Sequence, residues 1–242
     1  VHVALVISNA GLPTELENPG TLSIEEIAVI EETEKLVSLH GNEVWPGFGD
    51  ITIPTILYNN EYVFLTGLED PSDGWAKIPA FTQYGSTWEM QTDTFVLGHP
   101  VYRQAIMNGQ TPEAFTVLVG DHWVTSMPTY NWMRLELSTT IQEEMPPFLM
   151  PIFPTELFLD QLLQSQDHYI SLLAHERFHG FQGIVAEEKL LAGEAAVINF
   201  SRAYPFGDEA FEAAWLEELE LLEEILRTKD RDTLTTLTEQ FL

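Results

Sequence analysis

Residues 169–183, YISLLAHERFHGFQG, predict the helix on which the second half of this chain is built. The stretch contains no proline, and apolar residues precede His175, as is typical of a helix buried in the centre of a domain. Asp167 can cap the start of this helix. Gly180 and Gly183 predict that it ends soon after the second histidine.

A proline-rich segment before this helix, EEMPPFLMPIFP at residues 143–154, divides the chain by composition. Residues 1–150 are predicted to form a mixed α/β part with a hairpin and short strands, and residues 151–242 a helical part. The helices of the second part are predicted at 155–165, 168–182, 184–201, 208–228 and from 232 onward, with Asp208 and Asp232 as N-caps. The predicted fold class is therefore α+β, with the helix of residues 169–183 in the C-terminal part.

The N-terminal part begins with a helix that Ser23 and Glu26 start with a capping box and that Gly41 would end. Residues 51–67, ITIPTILYNNEYVFLTG, contain two β-rich runs around an Asn-Asn pair, which predicts a β-hairpin. Because proline cannot donate to a strand ladder, Pro54 predicts that the first strand lies at a sheet edge or a bulge.

The rest of the N-terminal part is predicted as short strands and loops. Residues 66–113 are rich in Gly, Pro, Asp and Thr, which favours loop structure, with a short helix at GHPVYRQAIMNG. Strands are predicted at AFTVLVG (114–120), HWVTSM (122–127) and WMRLELS (132–138).

The composition excludes several classes of partner and site. The 242 residues include 38 acidic and 10 basic ones, so a net charge of −28 argues against nucleic acid and anionic membranes as partners. The absence of cysteine excludes disulfides, thiolate zinc sites and a cysteine nucleophile. No apolar run reaches the 18 residues of a membrane span. A soluble protein is expected, either cytoplasmic or secreted, with its oligomeric state open.

The central helix carries the pattern H-E-x-x-H at His175, Glu176 and His179. Residues i and i+4 share one face of a helix, so both imidazoles can bind one zinc ion, which in a catalytic site takes three protein ligands and a water. Glu176 is rotated about 100° around the helix, where it can accept a proton from that water. Arg177 faces away from the metal. The alternative interpretation is two partly buried histidines that pair with carboxylates.

This stretch resembles the active-site helix of the gluzincin-type zinc metallopeptidases. More narrowly, residues 168–183 are similar to a set of uncharacterised bacterial proteins with a helix of the type A-H-E-x-F-H-x-F-Q. The resemblance implies that His175 and His179 bind Zn²⁺ and that Glu176 is the general base. It also implies a peptide or protein substrate.

The third zinc ligand is not given by the motif. The metzincin pattern continues with Gly and His, but Gln182 and Val185 occupy those positions, so that class is ruled out. Thermolysin-like enzymes place a glutamate near residues 198–199, which here are Ile and Asn. Three glutamates remain as candidates: Glu194, Glu217 and Glu218. The chain ends inside a predicted amphipathic helix, so a ligand beyond Leu242 is also expected as an alternative.

Other residues are candidates for contacts with substrate. His122 and Tyr204 can donate a hydrogen bond to an oxyanion, although both can also be ordinary loop residues. Residues 44–54, VWPGFGDITIP, can form a wall of a substrate site, but a turn packed on the sheet edge is the preferred interpretation.

The leading hypothesis is a zinc-dependent hydrolase, in the first place a metallopeptidase. The alternatives are a non-catalytic metal-binding or structural domain, a degenerate or truncated peptidase homologue, and a metal enzyme of another class such as an amidase.

Overall fold

The fold was derived from a computed structural model, which describes residues 14–112, 115–145, 153–163, 166–200, 205 and 207–241. An N-terminal helix precedes an eight-stranded sheet, and helices follow the sheet, so the predicted α+β class is confirmed. The helices are α1 (Ile24–Val44), α2 (Tyr130–Glu144), α3 (Thr155–Leu163), α4 (Gln166–Phe200), α5 (Glu209–Arg227) and α6 (Arg231–Phe241). The strands are β1 (Thr55–Tyr58), β2 (Tyr62–Thr66), β3 (Trp75–Lys77), β4 (Thr82–Tyr84), β5 (Glu89–Val96), β6 (His99–Ala105), β7 (Phe115–Val119) and β8 (His122–Pro128).

The sheet has the strand order β4-β3-β7-β8-β1-β2-β6-β5. Its neighbours pair antiparallel except β1 and β8, which are parallel and place Thr55 opposite Thr125. One apolar cluster joins α1 and α4 to the sheet, with Val29, Leu57 and Leu173 among its buried residues. The middle of the sheet therefore supports the central helix.

The capping box at the start of α1 is confirmed. The Ser23 amide donates to the Glu26 carboxylate over 2.9 Å, and the Glu26 amide donates to the Ser23 hydroxyl over 3.2 Å. The helix runs past Gly41 to Val44. Gly41 is needed for close packing instead, because a Cβ there would lie 2.9 Å from the Gly49 amide nitrogen.

The hairpin of β1 and β2 is confirmed, but the position predicted for its first strand is wrong. The Asn59 side chain closes the loop by accepting from the amides of Glu61 and Tyr62, each over 2.8 Å. Strand β1 lies between β8 and β2, not at an edge. Pro54 precedes the first paired residue, so its missing N–H falls outside the ladder, and its carbonyl accepts from the Thr125 amide over 3.0 Å.

Two further predictions of local structure are wrong. WMRLELS lies in α2, because the Thr129 side chain caps that helix by accepting from the Trp132 amide over 3.3 Å. GHPVYRQAIMNG contains β6 rather than a helix, because this segment pairs with β5 on one side and β2 on the other. The strands predicted at AFTVLVG and HWVTSM are confirmed as β7 and β8.

The five predicted C-terminal helices correspond to α3 to α6, because those predicted at 168–182 and 184–201 are the two halves of α4. Asp208 caps α5 by accepting from the Phe211 amide over 2.9 Å, as predicted. Helix α6 begins at Arg231, and its cap is Asp230, which accepts from the Thr233 amide over 2.9 Å, rather than Asp232. None of these helices, as far as the chain is described, is long and apolar enough to cross a membrane.

The chain divides into two compact units, Val1–Glu194 and Ala195–Leu242. The first contains the sheet, α1 to α3 and most of α4, and the second contains the end of α4 with α5 and α6. The H-E-x-x-H motif therefore lies in the unit that contains the sheet.

Helix α4 lies close against the sheet because two glycines face it. A Cβ on Gly180 would lie 3.0 Å from Ile53 Cγ2, and a Cβ on Gly183 would lie 2.3 Å from Trp123 Cδ2. The predicted division into two helices is present, but the break does not lie at these glycines. The helix continues to Phe200 and is broken at Ala186, where φ is −148° and ψ is 41°.

This close approach predicts that Gly183→Ala destabilises the fold by roughly 1–3 kcal/mol, because the added methyl must displace a buried indole. Gly193, in the same helix, has no atom within 4 Å of its Cβ position. Gly193→Ala should therefore stabilise the chain by up to about 1 kcal/mol, since alanine is the better helix former. Urea unfolding of both variants checks the contrast, and equal effects would contradict the packing assigned to Gly183.

Candidate metal centre

The packing of α4 on the sheet determines which residues of the H-E-x-x-H motif are exposed. Tyr169, Leu173 and Arg177 follow each other at a spacing of four and are buried. The Tyr169 hydroxyl donates to the carbonyl of Pro128, at the end of β8, over 2.6 Å. Because this face of the helix packs on the sheet, His175 falls on the exposed side, and His179 is half-buried.

The two histidines point their Nε2 atoms at one place. These atoms lie 3.2 Å apart, and the rings are nearly perpendicular, at 88° with centroids separated by 4.9 Å. Two nitrogens bound at about 2.0–2.1 Å to a tetrahedral zinc ion lie about 3.3 Å from each other. The pair therefore has the separation that two ligands of one tetrahedral ion require.

Gln182 fixes the orientation of His179. The His179 Nδ1 lies 2.8 Å from the Gln182 Oε1, which can only accept, so Nδ1 is the protonated nitrogen of the neutral ring. The lone pair of that ring is then on Nε2, the atom that faces His175. The sequence did not predict this role of Gln182, although the i+3 spacing from His179 is the signal that could have indicated it.

Glu176 lies half-buried between the histidines and the sheet side of the helix. Burial raises the pKa of its carboxyl group, and the charges of His179 and His175 oppose that rise. Its Oε2 is buried and has no hydrogen-bond partner among the described residues. A buried carboxyl oxygen without a donor favours the protonated, uncharged form of the group, in agreement with the direction of its pKa.

Arg177, in the middle of the motif, faces away from the histidines as predicted, but it has a structural role that the sequence did not reveal. Its Nη1 donates to the Ile53 carbonyl over 2.9 Å, and its Nη2 pairs with the Glu34 carboxylate of α1. Burial lowers the pKa of Arg177, and the charge of Glu34 opposes this. The guanidinium thus ties the motif helix to α1 and to the chain just before β1.

A cavity of about 400 Å³ lies beside His179, along both halves of the broken helix. Its lining residues are Trp45, Phe178, His179, Phe181, Gln182, Val185, Ala186, Lys189, Leu190, Gly193 and Glu194. Trp45 belongs to residues 44–54, the aromatic segment for which a turn packed on the sheet edge was the preferred prediction.

The three candidates for the third zinc ligand do not lie together in the structure. Glu194 lines the same cavity as His179, and burial raises the pKa of its carboxyl group. Glu217 and Glu218 are exposed on α5, in the second compact unit. Within the described ranges, no three His, Asp or Glu side chains are close enough together to bind one metal ion.

The two candidate oxyanion donors are not brought into this site. His122 is exposed at the start of β8, where its Nδ1 lies 2.9 Å from the Asp121 carboxylate, and it does not line the cavity. Tyr204 lies outside the described residues.

The comparisons with known proteins give no relative for this chain. No protein-family model, curated protein or solved structure matches it. What the site can do is therefore inferred from its chemistry: two imidazole nitrogens 3.2 Å apart, one half-buried carboxyl group and an adjoining cavity.

Proposed function

We propose that this chain is a zinc-dependent hydrolase of the metallopeptidase type. The observation that carries the proposal is the 3.2 Å separation of the His175 and His179 Nε2 atoms, with Glu176 beside them on the same helix. Neutral imidazole is a preferred zinc ligand, and the hydrogen bond from His179 to Gln182 favours the tautomer in which Nε2 carries no proton. The strong negative charge of the chain adds a field that favours cations.

In this proposal His175 and His179 bind the ion, which when bound makes water more acidic and polarises the carbonyl group of a peptide. Glu176 accepts the proton of the attacking water and passes it to the leaving amine. Burial raises the pKa of the Glu176 carboxyl group, which makes the carboxylate a stronger base toward the water and brings its pKa closer to neutral pH, where one group can both accept and return a proton. Gln182 keeps the His179 ring in its orientation while the proton moves.

A second candidate is a structural domain without catalysis. It is favoured by the same distance, since an Nε2–H of one histidine can donate to the Nε2 of the other over 3.2 Å. In that case the pair is a local hydrogen bond at the surface of α4 and needs no metal.

Zinc titration of the metal-free chain against a competing chelator separates the two candidates. We expect one zinc ion per chain, and more than about hundredfold weaker binding in His175→Ala and in His179→Ala, because even partners behind a ligand contribute 10–100-fold. His40→Ala is the matched control, since His40 is an exposed histidine on α1. Zinc binding equal in all four proteins would overturn the proposal.

The same titration tests the third ligand. Glu194→Gln should weaken zinc binding if Glu194 completes the site, whereas Glu187→Gln, an exposed position on the same helix, should not. The double variant Glu217→Gln/Glu218→Gln tests the candidates on α5. If none of these changes affects zinc affinity, the remaining ligand lies elsewhere, and the two histidines keep their assignment.

A further inference from the structure

The cavity beside His179 has mostly apolar walls. Phe178 and Phe181 lie with ring centroids 5.9 Å apart, and Trp45 packs against Phe178 with centroids 6.3 Å apart. Val185 and Leu190 extend this surface on the two sides of the break at Ala186. The break therefore forms a concave apolar surface directly beside one of the proposed zinc ligands.

Part of this surface is exposed to water. Trp45 is 55% exposed and Val185 is 52% exposed, although both line the cavity. Covering such surface with an apolar group is favourable, because the water in contact with it is released. An apolar ligand that covers Trp45 and Val185 would therefore bind favourably in this cavity.

The charge of the cavity differs from that of the whole chain. Its charged lining residues are Lys189 and Glu194, whose charges are opposite, whereas the chain carries a net charge of −28. Apart from His179 and Glu194, which are candidates to bind zinc, the lining of the cavity offers no carboxylate or imidazole group. Its shape and walls select apolar groups instead.

We propose that this cavity binds one large apolar side chain of a peptide, aromatic or branched aliphatic. Its volume of about 400 Å³ lies in the range of ligand pockets, roughly 300–1,000 Å³. Because the cavity contains His179, the bound side chain belongs to a residue next to the bond that is cut. This last assignment rests on the proposed function, whereas the binding of the side chain does not.

Gly193 gives a direct way to fill the cavity. It lines the cavity, and no atom lies within 4 Å of its Cβ position, so the Cβ of Gly193→Leu meets no other atom and the larger side chain is added at the wall. Ala192→Leu adds the same residue at the neighbouring exposed position of the helix, outside the cavity, and is the matched control.

Binding is measured by NMR on the Glu176→Gln chain, titrated with N-acetyl-phenylalaninamide and with N-acetyl-glycinamide. We expect the phenylalanine compound alone to shift the Trp45 indole and the residue 193 amide, in the starting chain and with Ala192→Leu but not with Gly193→Leu. Equal responses to both compounds, or equal responses of the two leucine variants, would overturn the proposal. The NMR titration needs no hydrolysis, so it shows whether the cavity binds an apolar side chain even if the chain proves to have no peptidase activity.

Cleavage of a peptide library by the zinc-loaded chain then tests the assignment to the scissile bond. A large apolar residue on one side of the cut should be preferred over alanine by about ten- to hundredfold, and Gly193→Leu should remove the preference while alanine-containing peptides are still cut. Cleavage without any side-chain preference would refute this assignment and leave the proposed hydrolase intact.

Discussion

Glu176→Gln is expected to lower the rate of peptide hydrolysis by about 10²–10⁴-fold, the contribution typical of a general base, without changing the zinc content. Glutamine has almost the same shape as glutamate but cannot accept the proton of the attacking water. The side chain is half-buried and glutamine keeps its size, so the fold should survive the change. Hydrolysis rate, zinc content and thermal unfolding of the purified variant give the three measurements.

The matched control is Glu188→Gln, which removes the same charge at an exposed position on the same helix. It should leave the hydrolysis rate within a few-fold of the starting protein. If Glu176→Gln keeps its activity, Glu176 is not the base and the mechanism is wrong. If instead the zinc content falls together with activity, Glu176 acts on the metal rather than on the proton.

The parts of the site that could be predicted from sequence are those set by local geometry. His175 and His179 are four residues apart, and a helix alone brings them to one face, so their convergence required no knowledge of the tertiary structure. The capping box of Ser23 and Glu26 and the hairpin at Asn59 are equally local, and the structure has both.

The parts of the fold that could not be predicted depend on pairing between segments that lie apart in the sequence. Residues 98–109 have the composition of a helix with loops, but β6 exists because β5 and β2 lie on either side of it. In the opposite sense, WMRLELS has the apolar and aromatic residues of a strand, yet the capping residue Thr129 starts a helix there. Side-chain composition alone does not decide between these outcomes.

The two glycines of the motif helix are a further case in which composition did not predict the structure. Gly180 and Gly183 have the composition of a helix end, but their function is to let the helix approach Ile53 and Trp123, which are far away in the sequence. The third zinc ligand is also a question of tertiary placement. The sequence could name Glu194, and only the structure shows that it shares a cavity with His179.

Arg177→Met is expected to destabilise the fold by about 3 kcal/mol, the lower end of the cost of breaking a buried ion pair. The arginine side chain is 3% exposed and that of Glu34 is 22% exposed, so the carboxylate left behind can only partly hydrate. The change also removes the hydrogen bond to the Ile53 carbonyl. The free energy of unfolding in urea measures the loss.

Two further variants show whether the loss comes from the unpaired charge. Lys35→Met breaks the exposed pair with Glu32 on α1, where both side chains are more than half exposed, and should cost less than about 0.5 kcal/mol. The double variant Arg177→Met/Glu34→Leu should be more stable than Arg177→Met, because it leaves no buried carboxylate without a partner. If Arg177→Met costs no more than Lys35→Met, the guanidinium is not the tie between the motif helix and α1. If the single and double variants are equally unstable, the ion pair is not the source of the loss. The hydrogen bond to the Ile53 carbonyl is then the contact that holds the helix of His175, Glu176 and His179 in place.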